Sequence, residues 1–151
     1  MQRRAEIEVF LGWYQHTVDD KGRIVMPSKF RDRVARGVVV TKGQERCLYV
    51  FPSDRFEEEA ARINRLPRTN RRNRDYARAF FGSAADLQAD KQGRLQIPQP
   101  LRAYAGLEKD VVVVGVFERI EIWDAASWAA NQETADDLYS GIEEALSEEG
   151  V

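Results

Sequence analysis

A single cysteine and a single histidine stand among the 151 residues. Cys47 alone forms no internal disulfide and no cysteine-based zinc site, and His16 has no second imidazole with which to build a His-x-x-x-His site. Long apolar runs are also missing. The longest, Val111 to Phe117, is strand-sized and falls short of the roughly 18 residues a membrane helix needs. Met1-Gln2-Arg3-Arg4 is basic, but Glu6 and Glu8 follow it instead of a continuous apolar stretch, so it does not read as a secretory signal and a cytoplasmic location is expected. Most metal and nucleophile chemistry is thereby excluded.

What is present is a globular composition, 43% hydrophobic and 32% charged with the two interleaved, in a chain long enough for one proper core. The formal net charge of −2 hides an asymmetry: residues 1–78 carry +7 and residues 79–151 carry −9. A basic half beside an acidic half suggests a polyanion partner, head-to-tail association between copies, or both.

The chain also repeats itself. Asp19-Asp20-Lys21-Gly22-Arg23-Ile24-Val25-Met26-Pro27-Ser28-Lys29-Phe30-Arg31 returns 71 residues later as Asp90-Lys91-Gln92-Gly93-Arg94-Leu95-Gln96-Ile97-Pro98-Gln99-Pro100-Leu101-Arg102, with five positions identical. Leu48, Val50, Phe51 and Phe56 correspond in turn to Ile120, Ile122, Trp123 and Trp128. A unit of about 50 residues is marginal alone, so the two copies should pack on each other.

Each copy reads as strand, turn, strand, helix and a strand pair, followed by helix. In the first, Tyr14 to Val18 and Arg23 to Met26 flank an Asp-Asp-Lys-Gly turn, and Pro27 opens a short helix carrying Phe30 and Val34. Val38 to Thr41 and Cys47 to Phe51 form a hairpin. The second copy offers Ala84 to Ala89, Arg94 to Ile97, a helix from Pro98 to Tyr104 that stops at Gly106, and strands over Val111 to Val116 and Arg119 to Trp123. Ser53 reads as the N-cap of a helix with Phe56, Ala60 and Ile63 at helical spacing, Pro67 marks a break, and a further helix spans Thr69 to Phe81. A short helix around Trp128 leads into a last one from Gln132 to Leu146.

The stretch from Tyr14 to Pro27, the second Asp90-x-x-Gly93-Arg94 copy and Phe117-Glu118-Arg119-Ile120-Glu121-Ile122-Trp123-Asp124 resemble the MraZ family of bacterial transcriptional regulators, over nearly the whole chain. The resemblance implies an α+β fold: a duplicated swapped-hairpin, AbrB-like β-barrel, in effect an intramolecular pseudo-dimer, with flanking helices. The repeats would span residues 12–58 and 83–126, with a helical connector at 59–82 and an acidic C-terminal helix at 127–151. It also implies a ring-shaped homo-oligomer that binds short direct repeats of double-stranded DNA in the promoter of its own division and cell-wall operon. Such a repressor would be nucleoid-associated, without enzymatic activity, cofactor or small-molecule substrate.

The motif chemistry stands beside this. Arg23 and Arg94 each follow a tight turn and would project a guanidinium suited to a phosphate or to the O6/N7 edge of guanine. Lys21, Lys29, Arg31, Arg33 and Arg36 add charge in the first copy, and Lys91 in the second; Arg31 and Arg102 lie at equal distances beyond the turns, where swapped-hairpin relatives carry DNA-contacting arginines. His16 precedes the first turn as a further phosphate contact. The alternative is that Asp19 and Arg23, like Asp90 and Arg94, only pair across the turn, and a third reading lets one guanidinium do both. Arg23 is expected to outrank Arg94, because its copy also carries Lys21, Lys29 and Arg33 where the second has Gln92, Pro100 and Tyr104.

Seven arginines, Arg62, Arg65, Arg68, Arg71, Arg72, Arg74 and Arg78, read either as a basic nucleic-acid helix or as a solvated face docking on acidic neighbours, for which Glu133, Asp136, Asp137, Glu143, Glu144, Glu148 and Glu149 supply a partner. Trp123 and Trp128 occupy repeat positions and are expected in the core, and Cys47 is expected as a small buried hydrophobe. Two other functions remain to be weighed: an oligomeric scaffold that binds protein partners, and an Mg²⁺-dependent phosphohydrolase built on Asp19 and Asp20.

Overall fold

The computed structural model describes residues 9–142. The first copy contributes β1 (Phe10–Thr17), β2 (Arg23–Val25), α1 (Arg31–Val34), β3 (Val38–Lys42), β4 (Leu48–Pro52), α2 (Ser53–Asn64) and α3 (Arg71–Gly82). The second contributes β5 (Ala85–Leu87), β6 (Arg94–Gln96), α4 (Gln99–Ala105), β7 (Asp110–Phe117), β8 (Arg119–Asp124) and α5 (Ala125–Gly141). Mixed helix and antiparallel strand is the fold class expected.

The two copies exchange strands. The six-stranded sheet runs β1-β7-β8-β4-β3-β5, so the first strand of each copy pairs with the hairpin of the other, and β4 meets β8 at the centre. A separate two-stranded ribbon joins β2 to β6. Strand alternation sends Val38, Val40, Leu48, Val50, Val111, Val113, Ile120 and Ile122 to one face of the sheet, where Ile24 and Leu95 of the ribbon, Phe30 and Val34, and Leu101 of α4 close over them. Removing a side chain such as Ile24 or Leu95 here would cost about 2–5 kcal/mol. On the opposite face α5 lays Trp128 against Trp123, 5.6 Å between ring centroids, while Ile63 of α2 and Phe80 of α3 bury Phe51.

Closure into a barrel is not observed. The sheet is open, with β1 and β5 at its edges. The ribbon strands are three residues long and run into Pro27 and Pro98, which lack the N–H a ladder needs, so they pair with each other, and an isolated bridge from Val18, just past the end of β1, to Ile24 takes the place of a ladder to that strand.

Other elements shift for local reasons. β1 begins at Phe10 and not Tyr14, because β7 offers an eight-residue partner in which Phe10 faces Phe117. Ser53 is the first residue of α2 and not its cap; Pro52 holds the cap position, and the Ser53 N–H donates to the Gly37 carbonyl at 3.1 Å. The two expected C-terminal helices are one: Asp124 Oδ2 accepts from the Ser127 N–H at 3.0 Å, starting α5 ahead of Trp128, and nothing in the sequence interrupts it before Gly141. The expected end at Leu146 lies outside the described residues, as do Glu143, Glu144, Glu148 and Glu149. Gly106 ends α4 in the left-handed region, φ 65°, as its sequence position implies.

Candidate nucleic-acid interface

The ribbon places Arg23 opposite Gln96, Ile24 opposite Leu95 and Val25 opposite Arg94. With Ile24 and Leu95 turned into the core, Arg23, Val25, Arg94 and Gln96 share the outer face. Arg23 and Arg94 are diagonal neighbours there, about 7–8 Å apart at the backbone by strand geometry.

Each arginine is held by the aspartate four residues before it. Asp19 Oδ1 accepts the Lys21 and Arg23 N–H groups, each at 2.9 Å, and Oδ2 accepts Arg23 Nε at 2.7 Å. Asp90 repeats this on Gln92 N, Arg94 N and Arg94 Nε at 2.9, 2.9 and 2.7 Å. The turn pairing weighed as a structural alternative is therefore real, but it uses only Nε. Among the described residues neither the Arg23 nor the Arg94 Nη groups donate to another residue. The Arg23 backbone N–H, followed by its side chain, holds the Asp19 carboxyl down at about 2, and the same contacts lower Asp90. Both aspartates are charged at neutral pH, and both guanidiniums are steered with one edge outward.

Behind each turn stands an arginine of the other copy. A Cβ on Gly22 would meet Arg102 Cζ and Nε at 2.7 Å, and one on Gly93 would meet Arg31 Nε at 2.8 Å. Both glycines have φ of 76°, so the turns require glycine for conformation and for room. Arg102 Nε donates to the Ile97 carbonyl at 3.0 Å and Arg31 Nε to the Met26 carbonyl at 3.1 Å. The ties between copies continue in the backbone, with Met26 N donating to Gly93 O at 2.8 Å and Ile97 N to Gly22 O at 2.9 Å.

The sequence-predicted residues thus fall into two groups: Lys21, Arg23 and Arg102 at the first turn, Lys91, Arg94 and Arg31 at the second. Lys21 and Lys91 are exposed at the tips. His16, half-buried on β1, has its pKa lowered by burial and then by the Arg31 charge; its imidazole is neutral at pH 7 and offers an N–H without a charge. Arg33 does not join: its Nη1 donates to Asp54 at 3.1 Å. Gln96 was not singled out from sequence, yet its side chain donates to the Lys21 carbonyl at 3.0 Å on the same face. The repeat offset alone pairs Arg23-Ile24-Val25 with Arg94-Leu95-Gln96, which is the signal that finds it.

The arginine-rich connector pairs locally. Arg62 bonds to Glu59, Arg68 to Asn64, and Asp75 takes Arg78 at 3.0 Å and Arg71 at 3.5 Å. No ion pair joins it to Glu133, Asp136 or Asp137 among the described residues. Cys47 is buried, and burial followed by the Glu121 charge pushes its thiol pKa up, which disfavours the nucleophilic thiolate. Both Asp19 oxygens are engaged in the turn, and the described residues contain no cluster of potential metal ligands. None of the described helices is long and apolar enough to cross a membrane.

A family model described as "MraZ protein, putative antitoxin-like" matches the chain twice, over residues 9–79 and 80–147. The chain belongs to the MraZ family. Among its relatives, the transcriptional regulator MraZ of Salinispora tropica is 49% identical over 138 residues, covering 91% of this chain and 97% of the relative. The regulator of the same name from a Nocardioides species is 50% identical over 135 residues, 89% of this chain and 94% of its own. That of Thermobifida fusca is 48% identical over 136 residues, 90% and 95% respectively. The two MraZ matches meet at residues 79 and 80, in the last turn of α3 and just ahead of β5, close to where the sequence repeat divides the chain.

Proposed function

We propose that this MraZ-family chain is a non-enzymatic, DNA-binding transcriptional regulator that uses the ribbon and its turns to read double-stranded DNA. The observation that carries the reading is the pair of aspartate-anchored arginines, Arg23 and Arg94, side by side on the outer face of a two-stranded ribbon with their Nη edges unengaged by described residues. A two-stranded ribbon fits the major groove, and an arginine with Nε fixed has lost much of the conformational freedom that binding would otherwise cost. Lys21, Lys91, Arg31 and Arg102 supply phosphate contacts on either side, and His16 a neutral donor.

In this reading the interlocked copies, residues 12–58 and 83–126, act as one AbrB-like swapped-hairpin unit, with 59–82 as connector and 127–151 as an acidic helix. Several chains form a ring, each presenting one ribbon to one of the short direct repeats in the promoter of the protein's own division and cell-wall operon. The protein is then a cytoplasmic, nucleoid-associated repressor.

Retardation of a DNA fragment from its own promoter, beside one in which the repeats are scrambled, tests this. Repeat-dependent binding whose log K falls linearly with log salt is expected. Equal affinity for both fragments removes the sequence-specific reading, and no binding at moderate salt removes the DNA reading altogether.

A further inference from the structure

The ribbon is close to two-fold symmetric. Its centre lies between Ile24 and Leu95, and a half-turn about that point exchanges Arg23 with Arg94, Asp19 with Asp90 and Gly22 with Gly93. Arg31 and Arg102 exchange likewise, each standing behind the other copy's turn. Two guanidiniums related in this way read a palindrome, because each meets the same base on opposite strands. The short direct repeats proposed as the target are not palindromes. A chain with these residues alone would seat on such a repeat equally well in either direction, so another feature must give the ribbon a direction.

Residues 25 and 96 supply it. They occupy equivalent places on the outer face, yet one is Val25 and the other Gln96. Gln96 lies directly across from Arg23 and Val25 directly across from Arg94, so each arginine has a different neighbour about 4.5–5.5 Å away at Cβ. Gln96 is exposed, and its Nε2 donates to the Lys21 carbonyl at 3.0 Å. That bond orients the carboxamide and leaves Oε1, which accepts from no other described residue. Val25 has no polar group with which to make the corresponding bond at the second turn. The turn tips also differ, Asp20-Lys21 against Lys91-Gln92, but each holds one exposed lysine, a point charge suited to phosphate, and phosphate contacts carry no sequence information directly.

We propose that Gln96 and Val25 are specificity-determining residues that give the chain its direction on DNA. In the major groove Gln96 Oε1 accepts from the exocyclic amine of an adenine or cytosine beside the base pair that Arg23 reads. Val25 offers only methyl groups, which fit the C5-methyl of a thymine beside the base pair that Arg94 reads. The inference rests on the proposal that the outer face of the ribbon reads DNA, and it distinguishes the two ends of each repeat.

Fluorescence anisotropy of the full-length chain on multi-repeat fragments, each carrying one base-pair change in every repeat, tests it. With the unmodified protein, base pairs at mirrored places about the repeat centre should show different preferences, and loss of a preferred base should weaken binding about fivefold or more. Gln96→Val makes the face symmetric, so mirrored changes should then cost the same to within about twofold. Val25→Gln makes it symmetric in the other sense and should extend the preference for adenine or cytosine to both places. Val25→Gln with Gln96→Val carries the face through its half-turn and should restore the unmodified preferences. Thermal unfolding beside each titration checks that the variants are folded. Unchanged preferences in Gln96→Val and Val25→Gln overturn the assignment, and so does a double variant that is folded but does not restore them. A loss in Gln96→Val that is the same factor on every fragment makes Gln96 a prop for the Lys21 turn alone and overturns it too, as do symmetric preferences in the unmodified protein. An unmodified protein that binds no fragment removes the DNA reading itself, whereas binding that needs Arg23 but is indifferent to residues 25 and 96 removes only this inference.

Discussion

The two turns of the ribbon differ in sequence far more than in geometry. Asp19 and Asp90 make the same three hydrogen bonds, with lengths that agree at each position. Yet the first turn carries Asp20-Lys21 where the second carries Lys91-Gln92, so the second has one negative charge fewer and the same single exposed lysine. The strand exchange alters the balance again, because Arg31, although it belongs to the first copy, stands behind the second turn. A residue's copy in the sequence and its cluster in space are different things. The expectation that Arg23 outranks Arg94 counted Lys29 and Arg33 by copy; Arg33 is bonded to Asp54, and Arg31 serves the other turn. We therefore expect the two turn arginines to contribute comparably to DNA binding.

The strongest test of that equality is to remove both. Arg23→Ala with Arg94→Ala should abolish repeat-dependent binding to a multi-repeat operator. Each single variant should lose more there than the roughly 1–3 kcal/mol of one bidentate base contact, because the loss recurs in every engaged subunit. On a single-repeat fragment the differences should shrink, since the unmodified protein also binds weakly. Fluorescence anisotropy on the two fragments measures this, with thermal unfolding beside it. Single variants that differ tenfold or more would restore a hierarchy between the turns, and a collapse of the melting temperature would make the Asp–Arg pairs structural alone.

Glycine replacement compares the turns in stability. Gly22→Ala and Gly93→Ala each force a side chain into φ of 76° and against an arginine of the opposite copy, and each should cost about 1–3 kcal/mol in backbone strain, with the clash adding to it. Adding Arg102→Ala to Gly22→Ala should relieve the clash and leave the strain. Chemical denaturation of the three proteins separates the two contributions; no relief in the double variant would show that Arg102 simply moves aside.

Much of this fold was legible in the sequence. The 71-residue offset located both turns, both prolines and both arginine pairs, because a tight turn writes its requirements into adjacent residues. Trp123 was legible as core from its repeat position and Cys47 from being a small apolar residue in a strand, whereas Trp128, expected with them, is only half-buried against that cluster. The exchange of strands was not written in either half: β1 carries no local mark that its partner is β7, and its start at Phe10 depends on that distant strand. The same gap explains why Arg31 was grouped with Arg23.

Coupling between arginines makes the exchange measurable in solution. In double-mutant cycles on DNA affinity, Arg23 with Arg102 and Arg94 with Arg31 should show interaction energies of about 0.5–3 kcal/mol, since each pair frames one turn. Arg23 with Arg31, adjacent in copy but standing at different turns, should add to within about 0.5 kcal/mol. The reverse pattern would mean that the copies bind DNA as independent units.

The smallest expected difference is in acid. Both aspartates are lowered from the ordinary carboxylate value by the N–H groups of their turns, Asp19 to about 2. A carboxyl whose folded pKa lies below its unfolded value contributes stability that is present above the unfolded pKa and lost as the pH falls through the folded one. The contribution of Asp19 should therefore be intact at pH 5 and fade between about pH 4 and pH 2, and that of Asp90 should fade over the same side of the scale. Side-chain carboxyl titration by NMR reads each turn directly. Asp19→Asn should flatten the acid limb of the stability curve without touching binding near pH 7 beyond what the loosened Arg23 accounts for. An Asp19 carboxyl that titrates at its ordinary value would mean that the turn opens in solution and that Arg23 is not held for DNA, and the same result at Asp90 alone would break the equivalence of the two turns.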